Sequence, residues 1–366
     1  MTQTNFLNIH TLVSHSPSCL NRDEMNLQKK CYFGGVNRAR ISSQSLKRAM
    51  RISDYYKETL GEPSDRSREL SLLANKYAER LKEFESELVK TVIALIAGKK
   101  TSDIEENKQA TSVIPWSVAE VAAICELVER DKKLNKSTLR EKDLATIVKQ
   151  NSNTIKIALG KTVDIALSGR MTTSGLLQSV DGAMSLAHSI TTHAIEADID
   201  WFTAVDDLTD STEGGLIAGH LGTQEFSSGV FYRYCALNLK QLDTNLAASR
   251  KKSLEVAAHL VHLLATITPD GKQHSFAAYN LAGLVMCNFS SFPISGVDAF
   301  EKPVMREKQG GLINPSIAAL SDYWEKIYKG YGYGDNQAVF SVWDTSLTVR
   351  KSSFAELKEW VIAGGN

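Results

Sequence analysis

Between residues 61 and 150 the apolar residues return every three or four positions, whereas on either side they alternate or run in short β-branched stretches. A chain satisfies both periods only if a helical block is set into a sheet-forming one, which restricts the fold to the α+β class. Inside the block Leu70, Leu73, Tyr77, Leu81, Phe84 and Leu88 share a face, and Val118, Val121, Ala122 and Cys125 share another after Pro115. A polar stretch (residues 101–111) separates these helices, and a basic cluster of Lys132, Lys133, Lys136, Arg140 and Lys142 follows the second. Ahead of the block, residues 6–14 alternate, with Leu7, Ile9 and Val13 opposite Asn8, His10 and Ser14, and predict a half-buried strand. Residues 15–37 read as a loop carrying Pro17, Gly34 and Gly35. A helix is expected from Ser43, capped by Ser42 or Ser43, with Leu46, Ala49 and Met50 inward. Beyond the block the pattern predicts a strand at 163–167, a helix at 184–193 and a strand at 230–234. An amphipathic helix at 253–264, a turn at Pro269-Asp270-Gly271, a strand at 284–289 and a helix at 354–362 complete it.

Charge is neutral in total and segregated in detail. Over residues 1–52 there are eight basic residues (Arg22, Lys29, Lys30, Arg38, Arg40, Lys47, Arg48, Arg51) against Asp23 and Glu24, a local +6. Between Arg170 and Arg233 there is no Lys or Arg but nine acids, from Asp181 to Glu225. Screening confines each block's field to about 10 Å, so the two steer partners locally. The basic block has a definite geometry. On the helix from Ser43, the residues Gln44, Lys47, Arg48 and Arg51 lie opposite the apolar face, with Lys47 and Arg51 one turn apart. Ser42, Ser43 and Ser45 add hydroxyls where free N–H groups and the helix dipole favour an anion. Cations, an amide and hydroxyls on one face suit a phosphate backbone. The adjacent Trp201 and Phe202, set among Asp198, Asp200, Asp206 and Asp207, cannot both enter one core if the segment is extended; composition favours a small satellite core beneath a loop, and the alternative is that one of them stacks on a base.

Enzyme signatures are thin. Residues 214–219 space their glycines like a phosphate loop, but His220-Leu221 stands where Lys-Ser/Thr is needed. His259 and His262 lack the Glu of a zinc helix, and His188 and His193 do not share a helical face. There is no G-x-S-x-G. Asp23-Glu24, beside Arg22, is the acidic pair to test as a metal-dependent phosphodiesterase site. Five scattered cysteines (Cys19, Cys31, Cys125, Cys235, Cys287) without a C-x-x-C pair suit reduced thiols. Neither a secretory signal nor a membrane span is expected.

Five runs are familiar together: SHSPSCLNRDEMN (residues 14–26), RISSQSLKRAMR (40–51), VDIALSGRM (163–171), DIDWFTAVDDL (198–208) and HLGTQEFSSGVFYRY (220–234). They closely resemble the CasC backbone subunit of the type I-E CRISPR Cascade complex. That resemblance implies an α+β fold with a ferredoxin-like, RRM-related palm (residues 1–60, 161–194 and 226–366, ending in the C-terminal helix). It also implies inserted helical fingers (61–160) and a thumb hairpin (195–225). A non-catalytic cytoplasmic scaffold follows, with no cofactor, metal or membrane. It polymerises head to tail along CRISPR RNA and presents it to a target DNA strand, beside the large, small, 5′-handle-capping and crRNA-processing subunits. Carried over by motif, RNA contacts fall on Arg22, Lys29, Ser42, Gln44, Ser45, Lys47, Arg51, Arg170 and Met171, and on Lys272 and Gln273 in a GxKQ-like turn. Trp201, Phe202 and Thr203 fall on the thumb, at kinks between paired segments, and Lys132, Lys133 and Lys136 are the target-DNA candidates. A related CRISPR class cuts RNA with a loop aspartate, which makes an Asp23 endoribonuclease the alternative. The RRM aromatic signature is absent, so stacking on an open sheet is not expected. The acidic block at 196–213, with Asp206 and Asp207, is expected to meet a neighbour's basic surface, since head-to-tail assembly needs two different patches.

Overall fold

The computed structural model describes residues 4–106, 108–131, 139–172, 176–196, 198–203, 221–333 and 336–366. Its strands, in chain order, are β1 (Phe6–Ser18), β2 (Lys30–Phe33), β3 (Val36–Ile41), β4 (Asp65–Ser67), β5 (Ile114–Trp116), β6 (Met184–Leu186), β7 (Ser189–Thr191), β8 (Asp198–Thr203), β9 (Leu221–Asn238), β10 (Ala282–Ser290) and β11 (Gln337–Ser341). Its helices are α1 (Ser43–Ile52), α2 (Asp54–Leu60), α3 (Leu70–Arg80), α4 (Ser86–Ile96), α5 (Thr101–Glu105), α6 (Val118–Arg130), α7 (Glu141–Gln150), α8 (Ser152–Gly160), α9 (Val163–Ser168), α10 (Leu239–Leu246), α11 (Arg250–Thr266), α12 (Gln273–Phe276), α13 (Ile313–Tyr331) and α14 (Phe354–Ile362). The chain is α+β, as its two periods require. It forms two compact units: Met1–Ser53 with Leu186–Ala236 and Ala258–Asn366, and Asp54–Ser185 with Leu237–Ala257.

The first unit is built on a sheet of order β11-β10-β1-β9-β7-β3-β2, with β6 and β8 also paired to β9. β1 runs antiparallel to β10 from Phe6↔Ser290 to Val13↔Ala282. Its alternation predicts one wet face, yet Asn8 and His10 are as fully buried as Leu7 and Ile9. The reason is position: β1 is an interior strand, and both faces of the sheet are covered. On one face Leu12, Tyr232, Leu284 and Met286 pack with Phe300, Leu320 and Trp324. On the other, Ala39, Ile41 and Phe231 pack with Leu20, Leu46 and Ala278, which seats α1 against the sheet. The polar residues of β1 find partners inside: Asn8 Oδ1 accepts from the Ile294 amide at 2.9 Å, and His10 Nδ1 lies 2.7 Å from the Tyr232 hydroxyl.

The second unit carries its own core, in which Leu70, Leu73, Tyr77, Leu88, Val121, Ile124 and Cys125 from the predicted helical faces join Trp116, Leu144 and Ile155. A short antiparallel pair, β4 with β5, ties Asp65 to Trp116 across it.

Three further expectations are overturned. Part of the expected loop at 15–37 is the hairpin β2–β3, closed by Gly34 and Gly35 at φ +60° and +80°; two consecutive positive φ values make the turn that matches strand twist. A Cβ on Gly34 would also collide with the Glu301 carbonyl. Residues 163–168, expected as a strand, form helix α9. Its residues from Val163 to Leu167 are buried, Asp164 included, so apolar spacing carries no helical stripe. Asp164 is satisfied by the Ser64 amide (2.8 Å) and hydroxyl (2.5 Å). Residues 184–193, expected as a helix, hold β6 and β7 instead.

Candidate nucleic-acid interface

Around Arg22 the chain makes a tight loop organised from within. One carboxylate oxygen of Asp23 accepts from the Met25 and Leu27 amides, both at 2.9 Å, and Asn26 takes a left-handed φ of 63°. Arg22 donates to Asn26 Oδ1 at 3.0 Å. Asp23 is therefore the loop's turn residue, a local acceptor role its short side chain suits. Among the described residues no group of three or more His, Cys, Asp and Glu side chains is placed to hold a metal ion.

The loop is joined to α1 by Asn21. Its carbonyl accepts from the Lys29 amide (2.9 Å), and its side-chain oxygen accepts from the Ser42 amide (2.8 Å). Of the two serines expected to cap the helix, Ser42 is the N-cap: its hydroxyl accepts from the Ser45 amide at 3.2 Å. The next amide, that of Ser43, donates to His188 Nδ1 at 2.9 Å. Burial, and then the charges of Arg40 and Lys29, hold the His188 ring below the ordinary imidazole range. A neutral ring is what accepting that amide at Nδ1 requires. Along α1, Leu46, Ala49 and Met50 are buried, Gln44 and Arg48 are exposed, and Lys47 and Arg51 are half-buried.

The turn at 269–273 reaches the same place. A Cβ on Gly271 would lie 2.6 Å from the Leu20 carbonyl oxygen, so the two loops touch backbone to backbone. Lys272 follows in a left-handed conformation. Gln273 is only 4 % exposed, and its amide donates to the carbonyls of Pro269 (3.3 Å) and Ala278 (3.2 Å), which shapes the turn from inside. The Cys19 thiol registers the convergence. Burial pushes it up, Arg22 and Lys272 pull it down, and Glu225 and Asp23 add to the rise.

Not every predicted cation reaches this surface. Arg38 is fully buried and donates to the carbonyls of Phe33, Thr191, Phe300 and Glu301, so the basic face begins after it. In the second unit, Arg170 has a side chain with no exposure. It forms a two-pronged pair with Glu120 at 2.6 and 2.8 Å and donates to the Gln178 carbonyl. Its neighbour Met171 is 92 % exposed. Arg140 is spent on Asp143. Lys132, Lys133 and Lys136 lie outside the described residues, as do Asp206, Asp207 and residues 214–219. Trp201, Phe202 and Thr203 stand on β8, opposite Thr223, Gly222 and Leu221 of β9.

Three residues of this surface escape sequence reading: Asn21, His188 and Glu225. For Glu225 a signal exists, since a lone acid inside a strand-forming run needs a cationic or amide partner if it is buried. For the other two, nothing in the sequence marks them.

A search of the curated proteins finds no match. Among solved structures, a chain of a CRISPR RNA-guided surveillance complex described as pre-nicking superposes with a TM-score of 0.77 at 25 % identity, covering 99 % of this chain and 100 % of that one. A chain of a second CRISPR RNA-guided surveillance complex gives a TM-score of 0.62 at 23 % identity, again over 99 % and 100 %. The resemblance to a Cascade backbone-type subunit, drawn from five motifs, is borne out by these folds and by the CT1975-like protein family, whose profile matches residues 7–361. The chain belongs to the CT1975-like protein family.

Proposed function

We propose that this protein is a non-catalytic, guide-RNA-binding backbone subunit of a type I-E Cascade surveillance complex. The observation that carries the proposal is the joining of three sequence-distant cationic segments. The Arg22–Lys29 loop, α1 and the Lys272 turn are held to one another through Asn21, Ser42 and the Gly271–Leu20 contact. Arg22, Lys29, Lys47, Arg51 and Lys272 then hold phosphates, with Ser42, Gln44 and Ser45 as neutral donors. These groups read no base edge, so sequence recognition is left to pairing between guide and target. The exposed Met171 makes an apolar contact with RNA, while Arg170 and Gln273 shape their loops. Trp201, Phe202 and Thr203 set the kinks in the guide. Copies assemble head to tail, the target DNA strand pairs along them, and the other Cascade subunits cap and flank the array. Palm, fingers and thumb are the corresponding parts of the chain.

The test is binding of fluorescein-labelled single-stranded RNA of several sequences to the purified protein across a salt series. Replacing Lys47 and Arg51 with Ala weakens every RNA alike and flattens the log–log salt slope by about 0.7 per lost phosphate contact. A loss confined to particular sequences, or an unchanged slope, overturns the reading. In the same preparation, regularly spaced cleavage of a complementary RNA with magnesium, lost on Asp23→Ala, would make the protein an enzyme instead.

A further inference from the structure

The stem of β9 next to its pairing with β8 is held from both sides. Glu225, opposite Ile199 of β8, is 4 % exposed. One of its oxygens accepts from the Gln28 amide at 3.0 Å and the other pairs with the Lys30 ammonium. Ser227, two residues on and therefore on the same side of the strand, donates to the Gln28 side chain at 3.5 Å. Phe226, on the opposite side, packs its ring 5.5 Å from that of Phe276 in α12, the short helix that Lys272 precedes. Gln28 is the root of the Arg22 loop: it bridges Arg22, and its neighbour Lys29 is bonded to Asn21. The acid-rich and base-rich parts of the sequence thus meet at one buried carboxylate.

We propose that Glu225 is a positioning residue for RNA binding. Its carboxylate fixes the root of the Arg22–Lys29 loop to the stem of the β8–β9 ladder, so that the loop's cations and the ladder that carries Trp201 and Phe202 keep one geometry. This rests on the reading that the Arg22–Lys29 loop takes guide phosphate. Charge alone makes the opposite forecast. Removing a negative group beside a cationic surface should tighten RNA binding, because the local potential becomes more positive. Positioning requires that binding weaken, so the sign of the effect separates the two.

The experiment uses the full chain and a labelled, unstructured single-stranded RNA over a salt series, with the active fraction fixed by titration. Glu225→Ala is expected to weaken binding about tenfold and to flatten the salt slope by about 1.4, as the displaced loop gives up two phosphate contacts. Glu225→Gln keeps an oxygen in reach of the Gln28 amide and restores both quantities despite losing the charge. Glu225→Asp keeps the charge but draws it back by one methylene, and behaves like the alanine variant; it serves also if Glu225→Ala does not fold. Tighter binding by Glu225→Ala, an unchanged slope, or rescue by Asp and not by Gln overturns the proposal. An Arg22→Ala, Lys29→Ala double variant is measured alongside. If its slope equals that of the wild type, the loop does not grip RNA and the underlying reading fails. If its slope flattens while that of Glu225→Ala does not, only the role of Glu225 fails.

Discussion

A guanidinium taken out of water has to find acceptors for its N–H groups, and Arg38 finds them on backbone carbonyls. Four oxygens, at 2.8 to 3.3 Å, come from the tip of β2, from β7 and from the segment after Val297. Burial lowers the guanidinium's affinity for its proton, which the nearby Cys31 partly opposes. Replacing Arg38 with Ala leaves several carbonyls without donors and should destabilise the protein by about 3 kcal/mol or more. Lys, with a single compact ammonium, recovers only part. Urea midpoints report this, and RNA affinity per folded molecule should not change. Sequence presents Arg38 as part of a basic block, and the family resemblance presents Arg170 as an RNA contact; both readings assume that cations are mostly exposed. Which arginine is swallowed depends on carbonyls and a carboxylate far away in the chain. Glu120, the partner of Arg170, is 50 residues distant, and Phe300 is 262 residues from Arg38.

At the scale of elements, legibility follows local chemistry. α1, α14 and β10 stand where the pattern puts them, because a serine cap, an apolar stripe or a β-branched run is a signal written within a few residues. The serine cap of α1 is testable on its own. Ser42→Ala removes the acceptor for the Ser45 amide and should cost about 1 kcal/mol of stability by urea unfolding. A larger loss of RNA affinity than this implies would show the hydroxyl acting on the ligand as well. α9 and β7 were not legible for a common reason. Val163 to Leu167 of α9 and Ser189 to Thr191 of β7 are all buried, so polarity does not report the period there. The hairpin β2–β3 was legible in principle, through Gly34-Gly35 between two short extended runs. The joining of loop, helix and turn was not, since Asn21, His188 and Gly271 act through backbone contacts that composition does not record.

Across the whole molecule, stability should depend on pH through buried histidines of the sheet. Burial, partly offset by Asn288, lowers His10 to about 3. Burial and the charge of Arg233 lower His15 to about 3, and Arg233 donates toward His15 Nε2 at 3.2 Å, which requires a bare nitrogen. Unfolded histidine titrates near 6.5. Because the folded values lie below the unfolded one, the unfolded chain binds protons first. Stability is then complete above about pH 6.5 and falls as the pH drops from there towards 3. Each histidine contributes a slope of up to about 1.4 kcal/mol per pH unit, so the two together remove about 4 kcal/mol between neutrality and pH 5. Unfolding free energies from urea titrations at pH 7.5 and 5.0 should differ by that amount, and equal values would contradict the burial of neutral rings.

The interior place of β1 has a consequence for how the protein is made. Asn8 donates to Ser290, 282 residues later, and β1 cannot complete its hydrogen-bonded ladder until β10 exists. With a ribosome delivering roughly 5–20 residues per second, the first strand waits about a quarter of a minute to a minute for that partner. In the interval the Asp54–Ser185 stretch, whose core is assembled largely from neighbouring helices, can pack. Phe6, Leu7, Ile9, Leu12 and Val13 meanwhile form an unpaired apolar segment on the nascent chain, so a chaperone that shelters this segment during synthesis would raise the yield of this protein more than one acting after release.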